Sequence, residues 1–468
     1  MKTVNFQLAL IVSLGGLLFG YDTAVIAGAI KNLTLYFSLS DGETGWAVSS
    51  ALVGCMAGGL IGQYLTDRWG RKKALIFTAW LIFIAAIGTA VPRTFSELVL
   101  FRIAGGVGIG MASLAAPVYI SEISAKEVRG KMSGLYQLMI SGGMLLVYIV
   151  NTLISELSDS PQWAINASWR WMFASEIIPA ALFLALLYRV PESPRWLVKK
   201  RRDAEAASVL RQINGPQCEA ESLIRQIRAT FEDSQGKVIR EPLLAKHNRR
   251  VVFAVLCMAT LANLCGINAV LYYGNVLVES IGIASEKTAF WQQVIIGLAF
   301  FLAAAWAVKE VENIGRRKLL LYGNLGCLAS ILLLGVLVWM KITSLWMLGI
   351  IVVYILLFGG TVGPVLWIIL PELSPNAIRD RLMALAVFLI WAANFVVAQT
   401  FPLMNGDPWL RATFNGGFPF LAYGFFCLLW YLLTLFFIPE TRNKTLEQIS
   451  SEMQRGVGNT SPATPQRG

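Results

Sequence analysis

Histidine occurs once in this chain and cysteine six times. His247 sits in a basic stretch beside Asn248, Arg249 and Arg250, which reads as solvated rather than catalytic. No two of Cys55, Cys218, Cys257, Cys265, Cys327 and Cys427 are spaced as CxxC, and five of them fall in apolar runs. Neither a disulfide framework nor a zinc site is expected from that pattern. No phosphate-binding loop of the Walker type is present, so ATP is not expected to drive this protein directly. Charge is scarce as well: 14% of residues are charged, against about a quarter in soluble domains.

Apolar surface is what the chain has in excess. Hydrophobic residues make up 56% of the sequence, and the mean hydropathy is +0.61. A soluble protein of 468 residues would still need a polar exterior. The composition therefore points to a polytopic membrane protein. A bilayer core takes about 20 apolar residues per helix. Twelve such runs lie near 7–30, 46–66, 73–92, 96–120, 130–151, 169–190, 250–280, 289–309, 318–340, 346–370, 382–402 and 417–438. The first is too long for a cleaved signal and contains Asp22.

The net charge of +11 would suit a nucleic-acid partner, but its distribution argues otherwise. Only Lys31, Arg93, Arg170, Lys287, Lys341 and Arg411 fall in the odd-numbered loops, whereas 31 basic residues fall in the even loops and at the two ends. That bias places both termini in the cytoplasm. The expected fold is all-α, with twelve transmembrane helices in two six-helix repeats. Residues 1–190 form the first half and 250–440 the second. Between them, 191–249 is a cytoplasmic linker, with short amphipathic helices at Ala204–Ile213 and Glu219–Phe231. Residues 441–468 form a tail, largely disordered in its polar last stretch.

The repeat is visible in short motifs. Asp67-Arg68-Trp69-Gly70-Arg71-Lys72-Lys73 follows the second run, and Glu312-Asn313-Ile314-Gly315-Arg316-Arg317-Lys318 follows the eighth. Ser121-Glu122-Ile123-Ser124 with Arg129 matches Pro371-Glu372-Leu373-Ser374 with Arg379. Pro191-Glu192-Ser193 matches Pro439-Glu440-Thr441, and the three matches share offsets of 245 to 250. Such order indicates two halves related by an axis along the membrane normal. Gly70 and Gly315 suit tight turns. Arg68, Arg71, Glu122, Arg129, Arg316, Glu372 and Arg379 are candidates for a latch that closes the inner mouth by pairing between helices and across halves. The plainer alternative is a set of topology signals and solvated ion pairs.

An ionisable residue inside a span is a functional hypothesis by default. Asp22, Arg102 and Glu176 lie about eight, six and seven residues from the outer ends of their runs. At 1.5 Å per residue they share a depth of roughly 10 Å. Beside Arg102 the ionised form of Asp22 is favoured, and parting the two favours its protonated form. Movement and proton binding would then be coupled reciprocally. A static pair that fixes helix packing is the bland reading.

The chain resembles the sugar porters of the major facilitator superfamily over roughly residues 5–450, and among them the bacterial proton symporters. Carrying the likeness are Gly20-Tyr21-Asp22-Thr23, Asp67-Arg68-x-Gly70-Arg71-Lys72, Pro117-x-Tyr119-x-x-Glu122 and Pro191-Glu192-Ser193-Pro194-Arg195-Trp196-Leu197. Gly266-Ile267-Asn268 with Leu271-Tyr272-Tyr273, Gly363-Pro364-x-x-Trp367 and Pro439-Glu440-Thr441 extend it. The resemblance implies that Asp22, Arg102 and Glu176 match the family's proton switch. It also implies that Gln137, Asn268, Tyr272, Trp367, Trp391, Phe19 and Asn394 match residues that hold or line a sugar. Asn263 is a partial substitute for a glutamine pair that the family usually carries, and Ala262 stands beside it. Met144, Phe300 and Ile390 also stand where the family has amides, so xylose or glucose is not to be assumed. Gln292 and Gln293 read as interfacial residues at the outer start of the eighth run.

The expected function is a secondary active transporter that imports a monosaccharide or related polyol with a proton by alternating access. It is expected to act as a monomer in a bacterial inner membrane, without cofactor, metal or nucleic acid. A uniporter or exporter on the same fold is one alternative. A transporter-like nutrient sensor is another, disfavoured because only about 28 residues follow the last run.

Overall fold

The computed structural model describes residues 3–124, 129–157, 160–215, 218–229, 242–280, 286–342, 346–375, 378–442, 444, 448–449 and 452–453. Among them twelve helices are long and apolar enough to cross a membrane: spans 1 to 12 are Asn5–Phe37, Asp41–Trp69, Arg71–Ala90, Phe95–Ile123, Gly134–Glu156, Pro161–Leu187, Arg249–Gly274, Ala289–Val311, Arg316–Trp339, Trp346–Leu373, Arg381–Gly406 and Phe418–Phe437. Helices suit these runs because a bilayer offers no partner to a free N–H or C=O. No strand occurs among the described residues. With twelve spans in alternation, span 1 starts and span 12 ends on the same side, called here the terminal face. The opposite side is the far face.

Spans start where the sequence supplies caps. Ser40 accepts from the Glu43 amide, and Glu43 accepts from the Ser40 N–H at 2.9 Å, a capping box that opens span 2. Thr94 accepts from the Glu97 amide at span 4. Spans 3 and 9 are capped from far along the chain instead. Glu192 accepts from the backbone N–H of Arg71 (2.8 Å) and Lys72 (3.1 Å). Glu440 does the same for Arg316 (3.0 Å) and Arg317 (3.2 Å). Each carboxylate satisfies orphan donors and faces the positive end of a helix. Burial pushes the Glu192 carboxyl above its usual range, while the N–H bonds from Ser193, Lys72 and Arg71 hold it back.

This explains both glycines. Gly70 has φ +97 and Gly315 φ +101, and a Cβ on either would meet the capping carboxylate, Glu192 or Glu440. Gly70→Ala and Gly315→Ala are each expected to lower thermal stability, by about 1 kcal/mol or more for the backbone strain alone. A thermal-unfolding series on purified protein checks this. Unchanged midpoints would mean the turns relax.

Among the described residues the linker forms three short helices, Pro194–Lys199, Asp203–Asn214 and Ala220–Ala229, around Trp196, Leu197, Leu210 and Ile224. Trp196 Nε1 donates to the Asp67 carbonyl at 3.0 Å, docking the linker beside the span 2–span 3 turn. Residues 230–241, where Glu219–Phe231 was expected to end, lie outside the described residues. In the tail Ile449 and Met453 are buried, and 454–468 lie outside the described residues.

The first six and last six spans meet along three seams. Spans 5 and 8 pack along their length, with Gly134 against Val308 at one end and Gly297 against Tyr148 nearer the other. Span 2 meets span 11: Ser49 donates to Gln399 Oε1 at 2.7 Å, and Gln399 Nε2 donates to the Gly42 carbonyl at 3.0 Å. Span 1 packs against the second part of span 7, whereas no comparable packing joins spans 4 and 10 among the described residues. The halves are therefore closed together at the far face.

Candidate functional site

Span 7 breaks where polar groups are needed. Its first helix ends at Leu264, Gly266 has φ +88, and a new helix starts at Ile267. The Tyr423 ring fills the space that a Cβ on Gly266 would occupy. Tyr354 OH donates to the Cys265 carbonyl that the break frees, at 2.9 Å. Spans 6 and 10 carry π-helical turns at Ala164–Ser168 and Phe358–Val362. Interrupted helices leave backbone and side-chain polar groups to line a cavity.

Asn263 and Asn268 flank the span 7 break, and Asn268 Nδ2 donates to Asn263 Oδ1 at 3.0 Å. Asn394 Nδ2 of span 11 donates to the Tyr272 hydroxyl at 3.0 Å. One turn before Asn394, Trp391 packs on Phe19 of span 1, with ring centroids 5.3 Å apart. Trp391 Nε1 and Asn394 Oδ1 are buried without a partner. Six of the eight expected substrate residues thus form three adjoining pairs. Gln137 and Trp367 are partly buried, and among the described residues no hydrogen bond or ring contact links either to these pairs. The four apolar replacements Ala262, Met144, Phe300 and Ile390 are all buried. Phe300 lies against Gly359 in the π turn of span 10.

The glutamines at the start of span 8 are not interfacial. Gln292 and Gln293 are buried, and the Gln293 amide lies against Gly274 of span 7. Their place near the start of the run was legible in the sequence, but not the direction in which they point.

The charged group assembles as its common depth suggested. Arg102 Nη1 donates to Asp22 Oδ1 at 3.2 Å and lies 3.4 Å from the Asp22 carbonyl. Asp22, Arg102 and Glu176 are all buried. The Arg102 guanidinium stands 5.9 Å from the Phe173 ring centroid. Beside the pair, Tyr21 OH and Ser175 Oγ are 2.8 Å apart, tying span 1 to span 6 next to Glu176. Glu176 lies at a turn inside span 6, just before the Ile177–Leu187 helix. One oxygen each of Asp22 and Glu176, and Arg102 Nε, are buried without a partner. Two acids and one cation share a buried site there, so the arrangement has room for one proton.

At the terminal face the candidate latch residues pair within each half. Arg71 holds Glu122 through Nη2 at 2.9 Å and Nε at 3.0 Å, and Ser193 Oγ donates to the same carboxylate. Arg316 Nη2 meets Glu372 at 3.3 Å, and Thr441 Oγ1 donates to it at 2.6 Å. Arg379 Nε donates to the Ser374 carbonyl at 3.1 Å, and Arg68 turns to Tyr64 OH at 2.6 Å. The Arg129 side chain lies outside the described residues. Sequence reasoning gave Glu192 and Glu440 no role, although their matching Pro-Glu pairs were the signal. It also missed Gln399, which has no counterpart motif.

The sequence profile of the sugar (and other) transporter family matches residues 8–453. The D-xylose-proton symporter of Escherichia coli (strain K12) is 37% identical over 472 aligned residues, 95% of each chain. The glucose facilitated diffusion protein of Zymomonas mobilis is 34% identical, over 96% of this chain and 97% of that protein. The solved structure of the major facilitator superfamily proton:xylose symporter bound to 6-bromo-6-deoxy-D-glucose matches with a TM-score of 0.80 at 36% identity. That match covers 96% of this chain and 98% of the other.

Proposed function

Since this chain belongs to the sugar (and other) transporter family, in the sugar-porter branch of the major facilitator superfamily, we propose that it imports a monosaccharide or related polyol together with a proton by alternating access. It is an integral inner-membrane protein and not an enzyme. The terminal face is the cytoplasmic one, on the strength of the basic-residue bias. Residues 1–190 and 250–440 move as two bodies about the site between them, and 191–249 tethers them. The monomer carries a complete site.

The observation that carries the coupling is the buried Arg102–Asp22 pair at 3.2 Å with Glu176 beside it. A proton arriving at Asp22 removes the charge that holds Arg102. Span 4 is then released from span 1, and the halves can rearrange. Departure of the proton restores the pair. Proton and sugar each bias the same equilibrium, so each changes the affinity for the other by an equal factor. A buried carboxylate that can take up a proton and so release Arg102 favours coupled transport over the uniporter reading, in which the pair would serve packing alone. Arg71, Glu122, Arg316 and Glu372 keep each half rigid. With Arg68, Arg129 and Arg379 they latch the cytoplasmic mouth when it closes.

Phe19, Gln137, Asn263, Asn268, Tyr272, Trp367, Trp391 and Asn394 receive the substrate. Aromatic rings take its C–H faces and amides take its hydroxyls. With Ala262, Met144, Phe300 and Ile390 in place of amides, some hydroxyls meet no partner. Removing such a hydroxyl from the substrate should cost little. A panel of pentoses, hexoses, deoxy sugars and polyols in proteoliposome counterflow tests the proposal. At least one deoxy analogue is expected to compete as well as its parent sugar. Asn268→Ala is expected to raise the half-saturation concentration by about tenfold or more, the worth of a buried hydrogen bond. If no sugar or polyol exchanges, the proposal is wrong.

A further inference from the structure

Gln293 is among the most deeply buried polar side chains in the protein, and neither its amide nitrogen nor its amide oxygen has a partner. Its amide lies flat against Gly274 in the second part of span 7, where any Cβ would collide with it. Gln293, Gly297 and Phe300 follow a spacing of four and three residues, so they form one stripe of span 8. Gly297 receives the Tyr148 ring of span 5. Tyr148 OH in turn donates to the Leu271 carbonyl of span 7 at 2.9 Å, a bond between the two halves. Phe300, at the inner end of the stripe, replaces an amide expected there. Gln293 stands two turns nearer the far face, about 10 Å along the helix.

A buried amide with both ends unsatisfied is costly, and proteins keep few of them. One side of it is covered by Gly274 of its own half, and span 5 of the other half packs on the neighbouring part of span 8, where Thr152 Oγ1 donates to the Phe290 carbonyl at 3.3 Å. When the halves part there, the Tyr148–Leu271 bond must break and the second part of span 7 must leave span 1. Gln293 then loses the cover of span 5 and turns its amide to the opened cavity, above Tyr272 and Asn268. An amide supplies one acceptor and two donors, which suits a pair of neighbouring hydroxyls.

We infer that Gln293 is a specificity-determining substrate contact used when the far face is open, taking hydroxyls that the inner part of the site no longer reads. The inference rests on the transporter reading above, and it predicts an effect confined to one side of the membrane. Half-saturation would be measured from each side in proteoliposomes of fixed orientation, for the best sugar of the counterflow panel. Gln293→Met keeps the length and removes the hydrogen bonds. It is expected to raise the far-side value about tenfold and leave the terminal-face value within about twofold of wild type. Normal binding from the terminal face also shows that the variant is folded. Should Gln293→Met not fold, Gln293→Asn shortens the reach and is expected to shift the same side alone. An equal shift on both sides, or none, overturns the inference. Wild-type protein that moves no sugar or polyol in either direction counts against the transporter reading itself.

Discussion

Replacing Asp22 by asparagine is expected to abolish uphill accumulation while leaving sugar exchange in place. Asparagine keeps the shape of the side chain and can still accept from Arg102, but it carries neither charge nor titratable proton. With one proton per sugar, each unit of imposed pH gradient supports about tenfold accumulation, since one pH unit is about 1.4 kcal/mol. The Asp22→Asn ratio should fall to about one under any gradient. Counterflow, which needs no net proton movement, should continue. A static ion pair would behave differently: the substitution would slow accumulation and counterflow together. Accumulation and counterflow measured on the same vesicles separate the two.

The second large effect is on stability. The Arg102 and Asp22 side chains are only 2% and 10% exposed, so solvent screens their pairing little. Removing one partner of a buried pair typically costs about 3–5 kcal/mol, because the other charge is left stranded. Arg102→Met strands Asp22 and Glu176 together. It is expected to show the lowest thermal midpoint of any single variant and to lose counterflow as well as accumulation. The double variant Asp22→Asn, Arg102→Met removes one of the two stranded acids. Most of the thermal midpoint should return while accumulation stays absent. A midpoint for Arg102→Met equal to that of wild type would mean that the pair is not buried as described.

Depth, order and repetition were legible in the sequence, and direction was not. The twelve apolar runs become spans 1 to 12. The common depth of Asp22, Arg102 and Glu176 becomes a contact because spans 1, 4 and 6 are neighbours. The motif repeat becomes the paired Glu192 and Glu440 caps, whose partners lie more than a hundred residues away and which local periodicity therefore does not reveal. Gln292 and Gln293 were misread for the opposite reason. Two glutamines at the end of an apolar run look alike whether they face headgroups or span 7, and only the packing of Gly274 decides. The latch candidates were likewise placed at the right end. With the far face closed, Arg71 and Arg316 pair inside their own halves. Substrate identity is the least legible feature. It turns on which apolar replacements line the cavity, and sequence motifs of the family are shared across many sugars.

Proton movement during sugar entry tests the central claim most directly. Weakly buffered proteoliposomes, with no pH gradient imposed, would be given a substrate from the counterflow panel while external pH is recorded. The account predicts that the medium turns alkaline as sugar enters, and that Asp22→Asn vesicles take up the same sugar with no pH change. Sugar equilibration by the wild type at constant external pH would contradict it.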